Sequence, residues 1–228
     1  MNRSAGDLRI NSYSLLSFPG VTNKRINELT LENQNLRKEL IDQNNLVSEN
    51  KALKDQFAAS NSNSLNLLPA EVIGAPGFLP GVSLPDYLII DKGSSQGVLV
   101  GSTIVVGNNL VGQVVQVWGD FSKVELVNNQ NSTFTATTLA SSSQALGIIR
   151  GQGNGSLIFD NVLLSASLKK DDLVITKGDK NEKGFGYPPD LVVGKVISVE
   201  KKPSDLFQRA AVGSLVDFVN LKTVFVIR

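Results

Sequence analysis

The 228 residues of the sequence include neither histidine nor cysteine. Without imidazole, Ser-His-Asp and Cys-His nucleophilic sites and His-ligated zinc sites are excluded, and no side chain has an unperturbed pKa near neutrality. Without thiols, thiolate chemistry, iron–sulfur clusters and disulfides are excluded as well. Most enzyme classes are therefore disfavoured, and we expect no catalytic residue, no metal and no cofactor.

Other features are also scarce. The 22 basic residues barely outnumber the 21 acidic ones, and aromatic residues make up 6% of the chain. A nucleic-acid partner is not expected, because such proteins usually carry a basic surface and often aromatic stacking platforms. No run of 18 apolar residues occurs, so no segment is predicted to span a bilayer, and residues 1–21 lack the features of a signal peptide.

Composition divides the chain into five segments. An N-terminal segment, a coiled-coil helix, a flexible linker, a first β-barrel and a second β-barrel are predicted over residues 1–21, 22–58, 59–68, 69–140 and 141–228. The helix has Thr22 or Asn23 as a candidate N-cap and follows the helix-breaking pair Pro19-Gly20. The last strand of the chain is a candidate to return to the first barrel.

The predicted helix contains a repeat, in which the run from Leu29 to Leu36 recurs 17 residues later from Leu46 to Leu53. In heptad terms, Leu29, Leu36, Leu46 and Leu53 fall at d, Asn33, Leu40, Asn50 and Phe57 at a, Glu32 and Glu49 at g, and Arg37 and Lys54 at e. Acidic g and basic e residues with a polar a position favour a parallel two-stranded coiled coil. We therefore predict a parallel homodimer that could assemble further. The alternative is a single amphipathic helix that folds back on the β region.

The C-terminal two thirds of the sequence have an all-β pattern. Twelve short strands are predicted, near residues 70–73, 87–91, 102–106, 110–117, 123–127, 133–138, 145–150, 156–161, 173–176, 192–199, 209–213 and 223–227. The run Leu110–Val117 resembles Val192–Val199, and each has glycine at its third position, where a bulge or sharp bend is expected. Twelve strands in two similar halves predict two small antiparallel barrels of about six strands.

Three short matches to catalytic patterns are better explained without catalysis. Ser95 lies in a G-x-S-x-G match that has no histidine to act as base, and Ser167 with Lys170 matches S-x-x-K between predicted strands. The glycine-rich run 151–155 is predicted to be a hairpin turn. The long loop 177–189 is a possible partner-binding element with Phe185 and Tyr187 as anchors, or else a packed cover over one barrel end.

The order of these segments resembles the bacterial MreC family. The resemblance runs from about Ile26 to Ile227 and rests on the L-x-x-E-N-x-x-L helix repeat followed by Tyr87–Gly93, Gln96–Val98, Leu110–Val114, Ser122–Val124, Gly147–Gly151, Lys170–Gly178, Val193–Val196 and Val216–Phe218. It implies a coiled coil and two β-barrels in a chymotrypsin-like arrangement without catalytic residues, which agrees with the strand count and the missing histidine.

The resemblance also implies a function. Members of the family are non-enzymatic scaffolds of the cell-elongation machinery that maintain rod shape. They lie on the extracytoplasmic face of the cytoplasmic membrane and couple MreB and MreD to peptidoglycan synthesis through a penicillin-binding transpeptidase. The family pattern includes an N-terminal membrane helix that this sequence lacks. Either an anchor is encoded upstream of Met1 or this member is soluble, and we expect the former because a stalk serves to hold something tethered.

Two other classes of protein are considered. One is a periplasmic adaptor subunit of an efflux or secretion system, although its coil would be a helical hairpin and only one helix is predicted here. The other is a serine hydrolase on a chymotrypsin-like fold, which labelling of Ser95 or Ser167 by a reactive-serine probe would reveal.

Overall fold

The computed structural model describes residues 19–59, 67–139, 144–179 and 186–227. The chain divides into two compact units, Met1–Ser48 and Glu49–Arg228. A single α-helix, α1 (Pro19–Ala59), belongs to both. It begins at Pro19, so Pro19 and Gly20 lie inside the first turn and do not precede it as predicted. A proline fits the first turn because the amide hydrogen that it lacks would have no helical partner there.

Twelve strands follow in the described part of the chain. They are β1 (Leu67–Gly74), β2 (Tyr87–Ile90), β3 (Thr103–Val106), β4 (Asn109–Val117), β5 (Ser122–Leu126), β6 (Thr133–Thr138), β7 (Leu146–Gly151), β8 (Ser156–Leu163), β9 (Leu173–Thr176), β10 (Val192–Glu200), β11 (Phe207–Gly213) and β12 (Thr223–Ile227). A 3₁₀ turn, Ser94–Gln96, lies between β2 and β3. Each strand overlaps one of the twelve predicted strands, because short apolar runs between turn-forming residues mark both of their ends.

These strands form two closed antiparallel barrels. In the first barrel the strands pair in the order β12-β1-β2-β5-β4-β3, and the β3–β12 pairing closes the ring. In the second barrel the order is β6-β7-β8-β11-β10-β9, and the β6–β9 pairing closes it. The pairings confirm the prediction of two six-stranded barrels, and closure leaves neither barrel with an open edge.

Two positions differ from the expected segment boundaries. Strand β6, expected in the first barrel because it precedes residue 140, pairs with β7 and β9 and so belongs to the second. Leu67 and Leu68, expected in the linker, pair with Ile227 and Val226 in β1 and β12. In both cases strand pairing, which local composition does not reveal, decides the boundary.

The two predicted glycine bends are β-bulges. In β4 the register with β3 slips beside Gly112, and in β10 the register with β9 slips beside Gly194. A Cβ at Gly112 would overlap the carbonyl oxygen of Glu125, and one at Gly194 would overlap that of Gly213. Only glycine fits at these positions, because neighbouring backbone occupies the space of a side chain.

Few strand contacts join the two barrels. Asn109 of β4 and Val192 of β10 form one parallel pair. The chain crosses between the barrels twice, through residues 127–132 after β5 and through residues 214–222 before β12. The relative position of the barrels therefore depends mostly on side chains and loops.

Candidate interaction surfaces

The predicted coiled-coil seam is exposed along the N-terminal part of α1. Leu29, Leu36, Leu40 and Leu46 keep between 47% and 64% of their surface accessible in the single chain. Exposed leucines at heptad spacing are costly to leave in water, because each fully buried leucine gains about 1.5–3 kcal/mol. The seam is therefore a candidate surface for a second helix.

The C-terminal part of the seam has a different environment. Leu53, predicted at position d, is partly buried and packs with Ala52 against the hydrophobic core of its own unit, Glu49–Arg228. Asn50 is exposed. The side chains of Glu49, Lys54 and Phe57 lie outside those described. The contact of Leu53 is therefore of the kind expected from the alternative, in which the helix packs against the β region of its own chain.

Of the two predicted anchors in the loop 177–189, the structure describes only Tyr187. Phe185 lies outside the described residues. Tyr187 is only 6% exposed, and its ring packs edge-on against Phe134 of β6, with 4.7 Å between the ring centroids. Burial raises the pKa of the Tyr187 hydroxyl above its ordinary value, although a hydrogen bond with Ser132 opposes the shift. Tyr187 is therefore covered, as in the packed-cover interpretation of this loop.

Residues 186–191, which we call the strap, are bound firmly to the second barrel. The Thr176 hydroxyl donates to the Pro188 carbonyl at 2.6 Å and accepts from the Leu191 amide at 3.0 Å. Pro189 passes so close to Gly178 (φ +98°) that its Cβ lies 2.8 Å from where a Cβ of residue 178 would stand. The backbone of the strap is thus held at the end of β9 by hydrogen bonds with the Thr176 hydroxyl.

The strap also contacts the first barrel. The Gln113 amide, in β4, donates to the carbonyl of Gly186 at 2.7 Å and to the carbonyl of Gly101 at 2.9 Å. The Asn108 amide donates to the Asp190 carbonyl at 3.0 Å. Only 8% of Gln113 is exposed, because the strap covers it.

Gln113 belongs to a row of polar residues on neighbouring strands of the first barrel. Tyr87 of β2 pairs with Glu125 of β5, and Glu125 pairs with Gln113 of β4. The Lys123 ammonium lies 3.8 Å from the centre of the Tyr87 ring. Burial raises the pKa of the Glu125 carboxyl, against hydrogen bonds from Tyr87 and Asn131 and the charge of Lys123.

Two further surfaces are apolar and accessible. One is a groove of about 360 Å³ lined by uncharged residues only: Phe78, Pro80, Gly81, Val82, Ser83, Leu84, Asn154 and Val219. The other lies at one end of the second barrel, where Leu163, Leu206 and Phe207 are exposed beside the 2.7 Å ion pair of Arg209 with Glu200. Sequence reasoning did not identify either surface, because neither has a periodic pattern.

The catalytic-type motifs are parts of turns. Ser95 lies in the exposed 3₁₀ turn, and Ser167 and Lys170 are exposed in the turn after β8. The glycine-rich run 151–155 forms the β7–β8 hairpin turn, as predicted. Among the described residues there is no group of three or more acidic side chains that could hold a metal ion, and no helix is long and apolar enough to cross a membrane.

Comparison with known proteins identifies the family. Residues 82–228 match the family described as "Rod shape-determining protein MreC, barrel core". The chain belongs to the MreC family. The match covers more than half of the chain and includes every strand except β1, so it supports the sequence-based resemblance.

Relatives and solved structures agree with this assignment. The cell shape-determining protein MreC of Haemophilus influenzae is 26% identical over 192 residues, which are 79% of this chain and 51% of the relative. The chain therefore spans about half the length of that MreC. A solved MreC structure superposes with a TM-score of 0.69 at 23% identity, over 80% of this chain and 99% of the other.

A third comparison includes a partner. The structure described as a complex between penicillin-binding protein 2 and MreC from Helicobacter pylori matches with a TM-score of 0.54 at 15% identity. It covers 72% of this chain and 99% of that chain. At this identity the likeness concerns the fold, which the two MreC proteins share.

Proposed function

We propose that this MreC protein is a non-enzymatic scaffold of the bacterial cell-elongation machinery, which couples MreB and MreD to peptidoglycan synthesis and maintains rod shape. The observation that carries the proposal is the family match across both closed barrels. The chemistry is consistent with it, because the chain has no histidine or cysteine and its serine motifs lie in exposed turns. An efflux or secretion adaptor is not favoured, because a single helix precedes the barrels in the described chain.

A penicillin-binding transpeptidase is the proposed enzyme partner. The Helicobacter pylori complex, in which an MreC of the same fold binds such a protein, supports this choice. An enzyme that builds the cell wall acts outside the cytoplasmic membrane, so we also propose an extracytoplasmic location for the barrels.

The scaffold role is tested by replacement of the cellular protein. In a rod-shaped bacterium depleted of its own MreC, a fusion of this chain to the host's membrane anchor should restore rod shape. It should also co-purify with the host's transpeptidase. Round cells, with the fusion present at normal levels and no transpeptidase bound, would rule the proposal out.

We also propose that the helix forms a parallel homodimer, in which the acidic g residues pair with the basic e residues of the second chain. The pairs are Glu32 with Arg37 and Glu49 with Lys54, and Asn33 and Asn50 at a would favour two strands in one register. The exposed Leu29, Leu36, Leu40 and Leu46 support the proposal, since a second helix would cover them.

The dimer is tested in the full chain by matched leucine substitutions. Leu36→Asp places a charge in the seam, whereas Leu31→Asp places the same charge at heptad position f, outside it; the two leucines are 52% and 61% exposed. We expect Leu36→Asp to sediment as a monomer at tens of micromolar and Leu31→Asp to remain dimeric. Equal behaviour of the two variants would contradict the proposed seam.

A further inference from the structure

The strap lies across both barrels, and we propose that it locks them in one mutual orientation, with Tyr187 and Gln113 as its positioning residues. This inference does not depend on the scaffold role. Its starting point is the strand contact between the barrels, in which β4 and β10 share a single pair, Asn109 and Val192. One strand pair leaves the angle between the barrels to side-chain and loop contacts, among them those of the strap.

The attachment of the strap to the second barrel is a buried aromatic. Tyr187 inserts its ring beside Phe134 and hydrogen-bonds through its hydroxyl to Ser132, which lies at the crossover into β6. Tyrosine supplies a large apolar surface together with one polar atom, and here both are used. Removal of the ring would leave a cavity at the junction between the strap and the second barrel.

The attachment to the first barrel is a set of hydrogen bonds. Gln113 uses both amide hydrogens, one on Gly101 of its own barrel and one on Gly186 of the strap. Asn108 donates its side-chain amide to Asp190, and its own carbonyl accepts from the Val192 amide at 2.8 Å. The strap is therefore held at its beginning by Gln113 and at its end by Asn108.

The chemistry of this junction allows release. The first barrel holds the strap through the side-chain amides of Gln113 and Asn108, and these groups can exchange protein partners for water. Interfaces between domains that are polar and small permit relative motion, whereas the apolar barrel interiors do not open in this way. The strap can therefore detach from the first barrel while both barrels stay folded.

The orientation set by the strap affects one of the accessible surfaces. The uncharged groove takes Phe78 to Leu84 from the first barrel, Asn154 from the second and Val219 from the crossover. The Leu84 amide donates to the Asn154 side-chain carbonyl at 3.1 Å across it. A change in the angle between the barrels would separate these walls, so the locked state is the one that presents the groove.

The test measures the distance between the barrels in the full chain. Because the sequence has no cysteine, Asp120→Cys on the first barrel and Ser204→Cys on the second give two spin-label sites per chain. The labelled chain is mixed with an excess of unlabelled chain, so that only distances within one chain contribute. Both positions are exposed, Asp120 between β4 and β5 and Ser204 between β10 and β11. Pulsed electron paramagnetic resonance should give one narrow distance distribution for this labelled protein.

Three substitutions at the contacts of the strap and one control variant then test the inference. Tyr187→Ala and Gln113→Ala should broaden the distribution at least twofold, whereas Tyr187→Phe, which keeps the ring, should stay close to the parent. Phe159→Ala, an aromatic truncation in the interior of the second barrel away from the strap, should lower the melting temperature without broadening the distribution.

Two results would overturn the inference. One is a broad distribution in the labelled parent protein. The other is a narrow distribution in the alanine variants that have a folded circular dichroism spectrum. If Tyr187→Ala fails to fold, Gln113→Ala decides alone, because it removes one side-chain amide and leaves the Tyr187 packing in place.

Discussion

The β3–β4 unit of the first barrel and the β9–β10 unit of the second are built alike but meet different surroundings. Each has a bulge at a glycine, Gly112 in β4 and Gly194 in β10, where the partner backbone lies too close for a side chain. The next residue differs: Gln113 is covered by the strap, whereas Lys195 is exposed. The same bulge therefore occurs in both barrels, and the residue after the glycine determines what the outer wall contacts.

The largest effect is expected at the two bulge glycines, where the barrels are alike. Gly112→Ala and Gly194→Ala should each lower the free energy of unfolding by about 2–3 kcal/mol, because a Cβ would overlap a carbonyl oxygen of the neighbouring strand. Urea denaturation would measure this loss.

A third glycine provides the control for this pair. At Gly119 a Cβ would meet nothing closer than the Ser95 hydroxyl at 4.0 Å, so Gly119→Ala should change stability by less than about 0.5 kcal/mol. Equal effects at all three glycines would mean that backbone overlap does not explain the bulges.

A medium effect is expected at the residue after each glycine, where the barrels differ. Gln113→Met should lower the free energy of unfolding by about 1–3 kcal/mol, because the Gly101 and Gly186 carbonyls lose their donor beneath the strap. Lys195→Met is the matched change at the exposed position, and should stay within about 0.5 kcal/mol. Thermal unfolding of the two variants would measure the difference, and similar losses would show that the strap does not depend on Gln113.

Most of the fold could be predicted from local sequence. Turn-forming residues mark the ends of all twelve strands, and the glycines of the two similar runs predict the bulges. The pairing of β6 with β9 could not be predicted, because it joins residues about 40 positions apart and leaves no local pattern. The return of β12 to β1 is a still longer connection, and it was expected only as a possibility.

The interaction surfaces also differ in how far local sequence predicts them. The exposed leucines of α1 follow a heptad repeat, so their face could be predicted from spacing alone. The aromatic Tyr187 could be predicted to matter, but not whether it faces solvent or the interior. Its position depends on Phe134, 53 residues earlier, and that of the strap on Gln113, 73 residues before Gly186.

Two glutamates extend the comparison of the barrels to pH. In the first barrel burial raises the pKa of Glu125, so the folded protein holds that proton more tightly than the unfolded chain. In the second barrel the exposed pair with Arg209 lowers the pKa of Glu200, so the folded protein holds that proton less tightly. Acidification should therefore favour folding through Glu125 and oppose it through Glu200.

The smallest effect, and the one that separates the barrels most directly, is the pH dependence of two matched variants. Glu125→Gln should be more stable than the wild type at pH 7, because it removes the charge that burial disfavours. That advantage should shrink as the pH falls from the raised pKa of Glu125 toward 4.5, the ordinary value for a glutamate. Glu200→Gln should be slightly less stable at pH 7. Its deficit should shrink as the pH falls from 4.5 through the lowered pKa of Glu200, because the wild type then loses the ion pair with Arg209 as well. Urea midpoints between pH 7 and about pH 3 would measure both trends. Trends of the same sign would contradict the burial of Glu125.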